Sequence, residues 1–132
     1  MTVFIDTSAF YAILDRDDGN HPRARKVWID LLETHDSLLT HNYVLLETVA
    51  LLQNRLGVAA VRAFQTDVMP LLRVEWISEE RHLSGVEAVL AAGRKKLSLV
   101  DCVSFQTMRQ LGIDTAFCFD APFREAGFVT KP

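Results

Sequence analysis

The sequence predicts an α/β fold in which a mostly parallel sheet of four to five strands is covered by helices on both faces. Short, continuous apolar runs rich in β-branched residues alternate with segments whose apolar residues recur at helical spacing. The 132 residues contain no repeat, low-complexity stretch or Pro/Gly-rich linker, and 49% are hydrophobic. One domain spanning residues 1–132, with a proper core, is therefore expected.

Thr2 to Asp6 is a short apolar run bounded by small polar residues and reads as a buried strand. Ser8 to Leu14 follows as a short helix, closed by the polar turn Asp15-Arg16-Asp17-Asp18-Gly19-Asn20. From Pro22 to Glu33, Ala24, Val27, Trp28, Leu31 and Leu32 recur at helical spacing, with Pro22 in the first turn. Ser37 to Thr40 is a second strand. Asn42 is placed to cap the apolar helix Tyr43 to Leu56, which Gly57 ends. Val58 to Val68 continues as a helix until Pro70 breaks it, and Val74 to Ile77 is a third strand. Ser78 is a good N-cap, with Glu79 and Glu80 well placed in the first turn of a helix that reaches Ala92 before Gly93. Ser98 starts another helix, to about Leu111 before Gly112. Ala116 to Phe119 is a fourth strand and Phe128-Val129 a brief fifth.

Net charge is -3, so the overall field does not attract nucleic acid; such a partner needs a local basic patch or a metal. Cys102 and Cys118 sit in apolar segments without short ligand spacing and read as reduced, buried thiols of a cytoplasmic protein. Met1 runs straight into a strand with no signal-peptide pattern, and no apolar run approaches a membrane span.

Four acids break the apolar pattern: Asp6 in VFIDTS, Glu47 in NYVLLETVALL, Asp101 in SLVDCVSF and Asp120 in FCFDAPF. A lone carboxylate in such surroundings costs several kcal/mol, roughly, unless it is paired, protonated or metal-bound. Nothing near them in sequence supplies four cations. Asp6 and Asp120 close predicted strands, where ligand crevices of open parallel sheets lie. Asp101 lies in the first turn of a helix facing the same rim. Glu47, with Tyr43, Val44, Ala50 and Leu51 on its face, points along the apolar stripe and has no capping role. Capping alone can explain the other three: Asp6 for the helix from Ser8, Asp120 for a turn at Pro122, and Asp101 in a capping box with Ser98. The joint pattern favours one shared acidic pocket. An all-oxygen donor set without His or Cys suits Mg²⁺ or Mn²⁺ rather than zinc, and metal-activated water rather than a covalent intermediate. His21, His35, His41 and His82 lie outside these motifs and read as solvated or structural.

These residues resemble a known family. The opening Phe4-Ile5-Asp6-Thr7-Ser8, the helical Glu47, the helix start Leu99-Val100-Asp101 and the close Phe119-Asp120-x-x-Phe123 look like a PIN domain. Length and element order match its small stand-alone members, the VapC-like toxins of toxin–antitoxin pairs. The resemblance implies a three-layer α/β/α fold with strand order 3-2-1-4-5. It also implies a Mg²⁺- or Mn²⁺-dependent ribonuclease whose catalytic metal ligands map onto Asp6, Glu47, Asp101 and Asp120, with Thr7 or Ser8 adding a hydroxyl or backbone contact. A homodimer and an inhibitory antitoxin are implied as partners. Pro122 stands where related sequences often carry a polar residue.

RNA then has to be held by local charge. Arg94-Lys95-Lys96, just before the Asp101 helix, is the strongest basic cluster, and Arg16, Arg23, Arg25 and Lys26 form a more diffuse one. Tyr11 or Phe123 is available for base stacking. A phosphotransferase of the Asp-x-Asp type is disfavoured because Ser8 stands where its second Asp belongs. Two readings remain beside the toxin: an RNA-processing nuclease without antitoxin, and a catalytically silent PIN-like binding module.

Overall fold

The computed structural model describes residues 1–132. Five strands, β1 (Thr2–Ile5), β2 (Ser37–His41), β3 (Leu72–Glu75), β4 (Thr115–Phe117) and β5 (Val129–Lys131), form one sheet in the order β3-β2-β1-β4-β5, and every neighbouring pair is parallel. Seven helices complete the chain: α1 (Thr7–Leu14), α2 (His21–Glu33), α3 (Asn42–Leu56), α4 (Val58–Ala63), α5 (Glu79–Ala92), α6 (Leu99–Leu111) and α7 (Pro122–Glu125). Helices α1 and α2 pack together, α1 also packs on α3, and α5 packs on α6. The two groups form the outer layers of an α/β/α sandwich. Val3, Phe4 and Ile5 of the central strand are fully buried, as expected for a strand covered on both faces.

Local signals behave as expected at several helix ends. The Ser78 side chain accepts from Arg81 N and opens α5; Gly93, at φ 61°, closes it in the left-handed conformation. Ser98 and Asp101 exchange the two bonds of a capping box and open α6. No helix is long and apolar enough to cross a membrane.

Other expectations need correction. The third strand is Leu72–Glu75 rather than Val74 to Ile77, because pairing with Leu38–His41 of β2 fixes the register and leaves Trp76 beyond it, 71% exposed. The fourth strand stops at Phe117 and the fifth is Val129–Lys131. The helix expected over Val58 to Val68 ends at Ala63, widens into a π turn over Phe64–Val68 and tightens into a 3-10 turn before β3.

The cap of α3 is His41, not Asn42. Its Nδ1 accepts from Tyr43 N and Val44 N, both at 3.2 Å. Asn42 instead turns its Oδ1 to Ile77 N at 2.7 Å, tying α3 to the chain beyond β3. The Ser104 hydroxyl donates to Val100 O, so it accepts from His41 Nε2–H at 2.7 Å, and the network requires the neutral Nε2–H tautomer. Burial holds the His41 pKa down, at about 4. Stability from the neutral ring is complete above the ordinary value of 6.5 and is lost as pH falls through about 4. His41 thus joins the start of α3 to α6. His41→Ala orphans two backbone N–H groups and leaves a cavity, so urea unfolding is expected to show a loss of about 2 to 4 kcal/mol.

Candidate active site

The parallel sheet brings the carboxyl ends of all five strands to one edge, and β1 stands where the strand order reverses between β2 and β4. Asp6 is the first residue past β1 and remains tied to the sheet through Asp6 N donating to Phe117 O at 3.1 Å. Its side chain caps α1: Ser8 N donates to Oδ2 at 3.4 Å and Ser8 Oγ at 2.8 Å. The same Ser8 Oγ accepts from Phe119 N at 3.0 Å. Ser8 therefore ties Asp6 to the corner that carries Asp120. Both bonds to Asp6 fall on Oδ2, leaving Oδ1 for another partner.

Asp6 is 4% exposed. Burial raises its pKa from 3.8 to about 7, opposed by the Ser8 bond and reinforced by the negative charges of Asp120 and Asp101. Asp101, half-buried in the first turn of α6, is also raised: burial leads, bonds from Ser98 oppose it, and Asp120 and Glu47 add repulsion. The structure therefore links the four acids electrostatically. None of them is ion-paired: the two salt bridges are Met1–Asp36 and Arg94–Glu125. Cys118 lies among the same charges. Burial first, then Asp6 and Asp120, push its thiol up to about 12, while Arg124 pulls the other way.

A cleft of about 620 Å³ opens beside this cluster, lined by Thr7, Ser8, Glu47 and Asp120 together with Asp18, Asn20 and Asn54. Glu47 departs from expectation. The face of α3 that packs inward is Val44, Thr48 and Leu52, and Glu47 is turned off that stripe to stand exposed on the cleft rim. Asp120 is likewise exposed, three residues past β4, in the turn before α7 that Pro122 opens. It caps no helix, whereas Asp6 and Asp101 do cap theirs. Capping and site membership are compatible because each carboxylate has two oxygens.

The donor chemistry fits a divalent cation: four hard-oxygen groups, two of them raised by burial and mutual repulsion, and no cation paired to any. The side chains are not drawn into a chelating cluster; no three His, Cys, Asp or Glu groups stand close enough to close around an ion. Phe123 is fully buried in the core and offers no ring for stacking, whereas Tyr11, mostly buried with its hydroxyl donating to Asp15 at 2.6 Å, does line the cleft. Two aromatics line the cleft, Tyr11 and the half-buried Phe119. Asp18, Asn20 and Asn54 were not singled out by sequence reading. The polar turn holding the first two reads only as a loop, marked locally by Asp17 N donating to Asp15 Oδ1 at 3.0 Å and Asn20 N to Asp18 Oδ1 at 2.8 Å.

Comparison with known proteins shows the family. Residues 3–129 match the family model described as PIN domain. The 23S rRNA-specific endonuclease VapC20 of Mycobacterium tuberculosis is 34% identical over 128 residues, 96% of this chain and 95% of that protein. The crystal structure of VapC20, described as a sarcin–ricin loop cleaving toxin, superposes with a TM-score of 0.83 at 33% identity, covering 96% of each chain. FitAcB from Neisseria gonorrhoeae shares the fold at a TM-score of 0.69 and 17% identity, over 100% of this chain and 97% of that one. The chain belongs to the PIN-domain family and is a homologue of a VapC-type endonuclease toxin.

Proposed function

We propose that this chain, a single PIN domain over residues 1–132, is an endoribonuclease that hydrolyses RNA phosphodiester bonds with Mg²⁺ or Mn²⁺, and that it is the toxin of a VapBC-type pair in the cytoplasm. The observation that carries the reading is Asp6: nearly fully buried, at the switch point of a parallel sheet, beside the like charges of Asp101 and Asp120, and directly behind a cleft that its neighbours Thr7 and Ser8 line. Such an arrangement is unfavourable for a merely structural carboxylate and suits one that receives a cation. A bound divalent ion supplies Lewis acidity, which activates water for in-line attack and neutralises charge on the phosphate and departing oxygen.

The chain's own residues divide the remaining work. Asp6 and Asp101, anchored by helix caps, would hold the ion; Glu47 and Asp120 on the rim would contribute further oxygens or orient water. Ser8 holds Asp6 in place against the Phe119–Asp120 corner, and Thr7, buried behind it, meets Thr48 of α3 at 3.5 Å. Lys95 and Lys96, exposed before α6, are available to backbone phosphates, whereas Arg94 is engaged by Glu125 at 3.2 Å. The similarity to VapC20 makes 23S ribosomal RNA the first substrate to test. Leu46, Leu56 and Val58 form exposed apolar positions on α3 and α4 and supply a face for a homodimer. An antitoxin is the second protein partner.

The purified chain is expected to cleave RNA with Mg²⁺ or Mn²⁺ and not with EDTA. Asp101→Asn, which keeps an acceptor for Ser98 N, should lower the rate by about a hundredfold or more while melting cooperatively. Full cleavage in EDTA, or by the variant, would remove the metal-dependent assignment. Absence of toxicity on expression, with cleavage intact, would favour an RNA-processing nuclease; absence of cleavage would favour a silent binding module.

A further inference from the structure

A second cleft, of about 220 Å³, adjoins the acidic one and shares Phe119 and Asp120 with it. Beside that shared acid it carries two basic side chains. Arg23 of α2 and Arg124 of α7 both line it, and neither meets a carboxylate: the salt bridges of the protein lie elsewhere. Both guanidiniums are nonetheless held by neutral groups. Arg23 donates to Asn20 Oδ1 at 2.7 Å and lies over the Phe119 ring at 5.4 Å, within cation–π range. Arg124 donates to Thr130 Oγ1 at 3.1 Å. Asp120 stands in the shared wall but is salt-bridged to neither arginine, so two oriented cations lining one cleft keep donor capacity that suits a phosphate.

We propose that this cleft is a subsite for an RNA backbone phosphate adjacent to the scissile one, held by Arg23 and Arg124. The inference rests on the endoribonuclease reading above for the polymer that threads both clefts. Asn20 lines the acidic cleft while holding Arg23 in the basic one, and Asp120 and Phe119 form the shared wall, so a strand crossing that wall meets both in succession. It also explains how an acidic protein of net charge -3 receives a polyanion beside four carboxylates: attraction is local and lies next to the chemistry. Neighbouring residues on α2 do not share this placement, since Arg25 and Lys26 line neither cleft.

The test is binding of a fluorescein-labelled RNA hairpin to the full chain in EDTA, where cleavage is suppressed, over a series of salt concentrations. Arg23→Gln with Arg124→Gln should weaken binding roughly tenfold or more and reduce the slope of log affinity against log salt by about 1 to 2. Arg62→Gln with Arg73→Gln removes the same charge from exposed positions outside both clefts and should leave the slope unchanged. Arg23→Lys with Arg124→Lys keeps the charge and should retain the slope even where affinity falls, which separates ion contact from a folding defect; thermal melting checks each variant. An unchanged slope in the first pair, or an equal loss in the remote pair, overturns the subsite. If the wild-type chain binds with these differences but cleaves no RNA under any divalent ion, the nuclease reading falls while the subsite stands.

Discussion

Asp6→Asn is expected to abolish metal-dependent RNA cleavage and, in the metal-free protein, to raise the melting temperature near pH 8. Loss of the central oxygen donor should slow cleavage by about a thousandfold or more, on the order of 4 kcal/mol in barrier. Asn preserves the cap of α1, because its carbonyl oxygen can still accept from Ser8. The stability change follows from burial. The Asp6 pKa is about 7 in the fold against 3.8 ordinarily, so the native state binds its proton more tightly than the unfolded state. Below pH 3.8 both states are protonated and the stability is fully present. As pH rises toward about 7 the unfolded chain releases the proton first, and stability is lost by up to roughly 4 kcal/mol. Asn has no charge to desolvate, so its advantage over wild type should grow with pH across that window, reaching about 5 °C or more.

Calorimetry in EDTA at several pH values checks this. The depressed His41 pKa works in the opposite direction as pH falls, but it is common to both proteins and cancels in their difference. Adding Mn²⁺ should raise the wild-type melting temperature and leave Asp6→Asn unmoved. A variant less stable than wild type near pH 8 would contradict the picture of a strained, buried acid.

The second large effect is expected at Gly85, where α5 crosses α6. A Cβ placed there would stand 2.6 Å from Val103 Cγ2 and 3.1 Å from Leu99 Cδ1. Alanine improves helix propensity by about 1 kcal/mol, but so close an approach forces the two helices apart. Gly85→Ala is expected to destabilise by about 1 to 3 kcal/mol in urea unfolding, and Gly85→Val by more. Leu99 and Val103 flank Asp101 on α6, so the wedge should also weaken Mn²⁺ binding. Val103→Ala removes the nearest methyl, and the double variant should lose less stability than the sum of the two changes. Additive losses would show that the helices do not depend on that contact.

Part of the candidate site was readable from one dimension. A strand end and a helix start located Asp6 and Asp101, and the Ser98–Asp101 capping box is a four-residue pattern satisfied by its own backbone, whereas Asp120 lies three residues past β4 rather than at its end. Glu47 was singled out for the wrong environment. Its neighbours by helical spacing are apolar, but which stripe of α3 faces the sheet depends on what packs there, and the chosen stripe runs through Val44, Thr48 and Leu52. Of the two rings considered for stacking, Phe123 is drawn into an aromatic cluster with Phe4, Phe105 and Phe128, while Tyr11 lines the cleft together with Phe119.

The sequence by itself determined which segments become strands and helices, where most helices begin and stop, and that acids recur at places a core would exclude. These features depend on apolar periodicity and on hydrogen bonds between residues a few positions apart. Only the tertiary structure decided that His41 rather than Asn42 caps α3, that β3 begins at Leu72, and that Arg23 and Arg124 share one cleft across about a hundred residues of chain. Each of those outcomes requires a partner remote in sequence: Ser104 for His41, β2 for β3, and the Phe119 corner for both arginines. Local rules cannot register a partner that only the packing of sheet and helices brings into reach.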